Sequence, residues 1–325
     1  MKAIQYHVYG PPDVLSLEDV PVPALADEDI LVRVRAASVN PLDFHYLRGT
    51  PYPVRAITGL SKPKVKGLGA DMAGIVEAIG KNVTRFKVGD EVFGGRSGTF
   101  AEYVRLPQDG VVERKPPNLT FEQAASVPVA AFSALQALRD KARVQARQKV
   151  LINGAGGGVG TFAVQIAKAF GAEVTGVCST AKVDLVRSIG ADHVVDYTRE
   201  NFASNGQHFD AMIDMAGSKS ISECRRILTR HGVLVAVGGP VTGQWISPLL
   251  GPMKLLALSR VVSQRLVPFL AQQRQGDLAV LRQLLEDEKV TPVIDRTYPL
   301  TEVPEAIRYL ERGHATGKVV ITVLH

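Results

Sequence analysis

Between Val150 and Val174 the sequence reads VLINGAGGGVGTFAVQIAKAFGAEV, with five glycines among the seven residues 154–160. Glycine carries no functional group, so any chemistry here belongs to the backbone, whose N–H groups a ligand can approach closely where no side chain intervenes. Lys149 to Asn153 reads as a short buried strand. From Val159 onward the apolar residues Val159, Phe162, Ala163, Ile166, Ala167 and Phe170 follow helical spacing, and Gly171 reads as the stop. A strand, a glycine turn and a helix in that order bring N–H groups and the positive end of a helix dipole together, which suits a pyrophosphate. The motif is AxGxxG on Ala155, Gly157 and Gly160 rather than GxGxxG, so taken by itself it equally fits a tight turn with no ligand.

The elements that would position such a turn follow in a regular rhythm. Glu173–Cys178, His193–Asp196, Phe209–Met215 and Val233–Gly238 read as further short strands, separated by helical stretches such as Lys182–Ile189 and Ile221–Leu228. Alternation of this kind predicts a doubly wound parallel sheet of Rossmann type, an α/β fold with its ligand crevice beyond the strand ends. A site for NAD would place Asp or Glu after the second strand to hold the ribose 2′-hydroxyl. Here Cys178 is followed by Ser179, Thr180, Ala181 and Lys182, with no acid. Two hydroxyls and an ammonium fit a 2′-phosphate, so NADP(H) is the expected cofactor. Lys182 as a solvated residue opening the next helix is the plainer alternative.

Composition narrows the class. The 325 residues are 46% hydrophobic and 22% charged, ordinary for a folded protein of two domains. The first residues have neither a basic nor an apolar region of signal-peptide type, and no apolar run reaches the roughly 18 residues of a membrane span, so a cytoplasmic location is expected. Cys178 and Cys224, the only cysteines, lie far apart and outside any CxxC, which excludes a disulfide framework and a cysteine-rich metal site. The net charge of +6 comes from scattered Lys and Arg, without the clustered basic and aromatic residues of a nucleic-acid surface.

The segments ASVNPLDF, GADMAGIVEAIGKNVTRFKVGDEVFG, GTFAEYV, ASVPVAAFSALQAL, VLINGAGGGVG and GHATGKVVI occur in an order that resembles the zinc-independent quinone oxidoreductases of the medium-chain dehydrogenase/reductase superfamily. The resemblance is nearest to the subgroup with the chloroplast envelope quinone oxidoreductase homologue and the mitochondrial reticulon-interacting protein. It covers nearly the whole chain. It implies a Rossmann domain, residues 122–272, inserted into a β-rich GroES-like catalytic domain made of residues 1–121 and 273–325. The strand alternation at Ile30–Arg35 and the turn at Gly10, Pro11 and Pro12 agree with a β-rich first part.

Zinc-holding members of that superfamily carry a Cys where this chain has Asn40, and a His-Glu pair where it has Ala70 and Asp71. The resemblance therefore implies no metal, since too few nitrogen and sulfur donors remain. Without a Lewis acid, hydride addition suits a quinone or an α,β-unsaturated carbonyl, whose product oxyanion is delocalised, better than a simple ketone. By the same resemblance Gly157, Gly158, Val159 and Gly160 contact the pyrophosphate, and Ser179, Lys182 and Tyr197 line the 2′-phosphate side. Asn40 and Ser133 lie near the nicotinamide, and Gly217, Gly238 and Lys318 form cofactor-wall positions. His45, Tyr46 and Tyr52 are candidate proton donors beside Asn40; each also fits ordinary packing or substrate lining, and solvent can serve instead. The run FHYLRG departs from the Thr-Tyr pair of some bacterial quinone reductases, which leaves the donor open.

Trp245 to Leu270 is apolar but interrupted by Pro248, Pro252, Lys254, Arg260, Arg265 and Pro268. Three readings, in order, are a roof over the substrate pocket, a homodimer contact through a strand near Arg265–Ala271, and peripheral contact with a membrane surface. Two rivals to the reductase reading stand beside it: a non-catalytic or moonlighting NADPH-binding protein, as in RNA-binding lens crystallins of the superfamily, and a zinc alcohol dehydrogenase.

Overall fold

The structure is a computed structural model and describes residues 1–204, 206–238 and 247–324, with the side chains of 247–252 left aside. The chain divides into two units: residues 1–129 with 273–287 and 292–325, and residues 130–272 with 288–291. The first division falls after Val129, where the sequence reading placed it at 121.

The first unit is organised by one long strand, Asp29–Val39, in a seven-stranded sheet. Along one edge it pairs antiparallel with Asp71–Ile79, and its opposite edge is shared between Tyr103–Pro107 and Lys318–Thr322. Its alternating burial packs Ile30, Val32 and Val34 into a core with Met72, Val76, Leu106, Val319 and Ile321. Register decides what meets beyond the last turn of this strand. Ser38 faces Asp71 and Val39 faces Val319, so Asn40 comes out beside Lys318.

Asn40 then opens the helix Pro41–Arg48, with Pro41 at the first helical position and the Asp43 carboxylate accepting the Asn40 backbone N–H at 2.7 Å. Gly49 closes the helix in the left-handed region, φ 57°, where a Cβ would strike the Tyr9 ring at 2.7 Å.

The second unit holds a six-stranded, all-parallel sheet in the order His193–Asp196, Glu173–Cys178, Lys149–Asn153, Phe209–Asp214, Leu228–Ala236, Arg265–Pro268. In sequence terms this is the order 3-2-1-4-5-6 of a dinucleotide fold, with its switch point between Lys149–Asn153 and Phe209–Asp214. The expected helix spans Gly158–Ala169, and Gly171 follows at φ 78°. The expected helix from Lys182 begins at Val183, after a 3₁₀ turn over Thr180–Lys182. Of the apolar segment, Trp245 lies outside the described residues; Ser247–Ser259 is helical and Arg265–Pro268 is an outer strand of the sheet. Leu255 packs into the core of this unit, whereas Met253 and Leu256 are exposed.

Candidate functional site

In the second unit the glycine turn is built on backbone hydrogen bonds. Gly154, at φ 91°, and Ala155 both donate to the Val177 carbonyl, at 3.1 and 3.0 Å, which ties the turn to the neighbouring strand. Gly160 is buried in the first turn of the helix, and a Cβ there would lie 2.1 Å from the Gly154 carbonyl oxygen. Only glycine allows helix and turn to meet this closely. Gly157 is different: a Cβ would meet nothing nearer than Gly154 O at 3.4 Å. Its missing side chain leaves space on the outer side of the turn, where the helix leaves its first N–H groups without intrahelical partners. Gly157, Gly158 and Val159 are all partly exposed there.

Neighbouring strand ends complete the rim. The buried Asn153 amide donates to Asp214 Oδ1 at 2.8 Å and to Ser218 Oγ at 3.1 Å, while the Gly217 N–H donates to the same Asp214 oxygen at 2.9 Å. Burial pushes the Asp214 carboxyl up, against the donors Gly217, Asn153 and Ala216. The Gly238 N–H reaches the Asp214 carbonyl at 3.3 Å. At the other end the stem of Lys182 lies along Gly156, where a Cβ would sit 2.7 Å from its Cδ. Ser179 is half-buried, Thr180 is exposed, and Tyr197 is 60% exposed with its N–H donated to the Cys178 carbonyl. Ser133 is buried in the helix Pro128–Gln136.

One expectation at this edge is corrected. An acid is at hand: Asp196, at the end of the third strand and opposite Cys178 in register, accepts a hydrogen bond from the Thr180 hydroxyl at 2.6 Å. The Thr180 hydroxyl therefore does not stand ready to donate to a phosphate.

In the first unit the polar residues near Asn40 form a buried cluster. Asn40 Nδ2 donates to Asp71 Oδ2 at 2.8 Å and, weakly, to the Ser38 carbonyl at 3.3 Å, and its Oδ1 accepts from Lys318 Nζ at 2.6 Å. Lys318 Nζ also lies 3.7 Å from Asp71 Oδ2, which accepts from Ser38 Oγ as well, while the Val129 N–H donates to Asp71 Oδ1. Asp43 accepts from the Asn40 and Gly69 N–H groups. Asn40, Asp43, Asp71 and Lys318 are each 3% exposed or less. Burial pushes the Asp43 carboxyl up to about 7 despite its two backbone donors, with Asp71 adding to the rise. Burial likewise raises Asp71 and lowers Lys318, each partly offset by the other. Lys318, expected as a cofactor wall, has its ammonium committed to Asn40 and Asp71.

The three candidate proton donors separate by chemistry. His45 Nδ1 lies 3.0 Å from the Thr50 carbonyl, so that nitrogen carries the proton and Nε2 is bare in the neutral ring. Burial lowers the imidazole's affinity for a second proton, so His45 is a poor donor at neutral pH. The Tyr46 phenol is pushed up by burial and keeps its proton; its ring packs on the core. The Arg55 guanidinium lies 4.8 Å from the Tyr52 ring centroid. Among the described residues no three His, Cys, Asp or Glu side chains gather in a group that could hold a metal.

The alcohol dehydrogenase GroES-like domain family matches residues 26–117, and the zinc-binding dehydrogenase family matches residues 189–321. A 2-methylene-furan-3-one reductase of Solanum lycopersicum is 35% identical over 99% of this chain and 79% of its own length. An NADPH-dependent alkenal/one oxidoreductase of Arabidopsis thaliana chloroplasts is 33% identical over the same shares. The solved quinone oxidoreductase of Coxiella burnetii superposes with a TM-score of 0.86 at 31% identity, over 100% of this chain and 99% of that one. The chain belongs to the quinone oxidoreductase-like family of the medium-chain dehydrogenase/reductase superfamily.

Within this family's fold the structure brings Asn153, the glycine turn, Ser179, Thr180, Lys182, Tyr197, Gly217 and Gly238 to the carboxyl ends of adjacent strands. Within the first unit Asn40 and Lys318 meet in a buried cluster. Sequence reasoning did not single out Asp43, Asp196 and Asp214, the carboxylates that accept the hydrogen bonds of these groups. For Asp43 a signal existed, since NPLD places an acid three residues after a capping Asn and a Pro at the first helical position. For Asp196 the only signal was its place at the end of the third strand, directly before Tyr197.

Proposed function

We propose that this protein is a zinc-independent, NADPH-dependent oxidoreductase that reduces quinones or α,β-unsaturated carbonyl compounds. The observation that carries the metal-free part is Lys318. Its ammonium already engages Asn40 Oδ1 and faces Asp71, the two positions where the resemblance puts zinc ligands in other members. A resident cation of this kind neutralises the buried acid and leaves those oxygens committed.

The residues of the second unit fit a dinucleotide: a turn that only glycine permits at Gly160, open space outside Gly157, and a lysine laid along Gly156. Gly157–Gly160 would hold the pyrophosphate, Ser179 and Lys182 the adenosine ribose, and Gly217 and Gly238 the rim beyond. When bound, NADPH supplies a hydride. The chain's own part is to hold and orient the reactants and to tolerate the developing negative charge. Because the oxyanion of a reduced quinone or enone is delocalised, a phenol such as Tyr46, or solvent, suffices as proton source.

We further propose that the protein is a cytoplasmic homodimer. What supports pairing is the outer position of Arg265–Pro268 in the six-stranded sheet, beside exposed Val261 and Leu270. Among the described residues no helix is long and apolar enough to cross a membrane.

The test is NADPH oxidation with a panel of quinones, enones and saturated ketones, before and after chelator treatment. Conjugated acceptors are expected to be reduced, with label from deuterated NADPH on the enone β-carbon, and chelation to leave rates unchanged. Efficient turnover of saturated alcohols alone, lost on chelation, refutes the proposal.

A further inference from the structure

The end of the second strand carries two opposed charges. Lys182 lies along the glycine turn, and Asp196, 9% exposed, stands on the third strand opposite Cys178. Asp196 Oδ2 accepts the Thr180 hydroxyl at 2.6 Å; Oδ1 accepts the Thr198 hydroxyl at 2.7 Å and the Thr198 N–H at 3.0 Å. These donors, led by Thr180, hold the Asp196 carboxyl below the usual aspartate range, so it is an anion at neutral pH. Exposed Arg199, with Nε 3.5 Å from Oδ2, offsets part of that charge. Both signs are felt at Cys178, where Asp196 adds to the upward push of burial on the thiol and Lys182 and Arg187 oppose it.

The hydrogen-bond direction matters most. Thr180 has one hydroxyl proton and a carboxylate can only accept, so that proton belongs to Asp196 whichever way Thr198, 2.8 Å away, turns its own. Toward solvent Thr180 Oγ1 therefore presents lone pairs. Lone pairs accept from a ribose 2′-hydroxyl and repel a 2′-phosphate. An aspartate on the third strand, acting through a threonine, thus does what an acid directly after the second strand does in an NAD site.

We propose that Asp196, acting through Thr180, is a specificity-determining residue for the cofactor: it admits the ribose 2′-hydroxyl of NADH and limits the preference for NADPH that Lys182 and Ser179 create. The chain accordingly uses both nucleotides. This rests on the reading of the glycine turn as a dinucleotide site, and it goes further by fixing how strictly the phosphate is required.

Dissociation constants for NADPH, NADH, ADP-ribose and 2′-phospho-ADP-ribose, measured by calorimetry on the full chain, test it. Wild type is expected to bind NADH within about tenfold of NADPH, the scale of one charge acting across a half-solvated edge. Asp196→Asn raises the NADPH:NADH preference roughly tenfold further, and Lys182→Ala lowers it by a similar factor, chiefly by weakening NADPH. Thr180→Val, which removes the accepting oxygen and keeps the shape, weakens NADH more than NADPH and gives a reading even where Asp196→Asn unfolds. An unchanged preference in both Asp196→Asn and Thr180→Val, with wild-type melting temperatures, overturns the inference, as does a wild type that excludes NADH a thousandfold. Absence of binding by all four nucleotides instead overturns the dinucleotide reading itself.

Discussion

The glycine turn of the second unit and the Asn40 cluster of the first place polar chemistry in opposite ways. The turn uses backbone groups over the seven consecutive residues 154–160 of one strand–turn–helix, and its outer face is partly exposed. The cluster uses side chains from positions 40, 43, 71 and 318, all buried, with two carboxylates around one ammonium. A backbone site depends on the absence of side chains and tolerates water. A buried ionic site depends on every partner being present, because each charge was removed from water on the strength of the others. The contrast is open to attack at both ends.

The largest expected effect is at the ammonium. Lys318→Met leaves Asp71 and the Asn40 oxygen facing an apolar chain end, and breaking a buried pair from one side costs about 3–5 kcal/mol. Urea denaturation reads this directly. A loss below about 1 kcal/mol would mean that the cluster is hydrated and that the contrast with the turn is false.

Gly160→Ala tests the other side. The added methyl falls on the Gly154 carbonyl, and the helix and turn must separate to admit it, costing roughly 1–3 kcal/mol and loosening nucleotide binding. Gly157→Ala has local room and is expected to cost stability less than 1 kcal/mol while still weakening binding, since its methyl occupies the outer side of the turn. Equal stability losses for the two variants would erase the distinction between the packing glycine and the open one.

The last effect is spread over pH rather than read at one condition. Asp43 is held at about 7 in the folded chain against an ordinary 3.8. The folded state therefore keeps a proton that the unfolded chain has released. This group's contribution to stability falls as pH rises from about 4 to about 7, with a slope of up to about 1.4 kcal/mol per pH unit, and is flat above. Asp43→Asn, which retains an accepting oxygen for the Asn40 N–H, removes that slope. The difference in denaturation midpoint between variant and wild type should change steadily across this window; a constant difference refutes the assignment.

Legibility in the sequence follows the same division. The strand at Lys149, the turn, the helix to Ala169 and the parallel rhythm beyond are local patterns, and period and spacing suffice for them. Asp43 is local too, though its capping role only becomes evident once Asn40 is placed at a helix start. The meeting of Asn40 with Lys318 spans 278 residues and depends on a strand register that no composition or period encodes. Asp196 lies between these cases: its strand was readable, but its influence on Thr180 arises only from parallel pairing with Cys178. His45 is a candidate donor by residue type, but burial keeps its ring neutral and the Thr50 carbonyl fixes the proton on Nδ1, neither of which residue type reveals.

The antiparallel pairing of Lys318–Thr322 with Ala36–Val39 bears on the order in which the molecule can be made. A ribosome delivers Asp43 and Asp71 at least 247 residues before Lys318, and during that interval the two acids have no ammonium to enclose. Nearly all of the second unit, residues 130–272, emerges as one continuous stretch in the meantime. It can therefore close its core while the unit around it still waits for its last strand, so that the segment inserted in the sequence is the first to be finished in the growing chain.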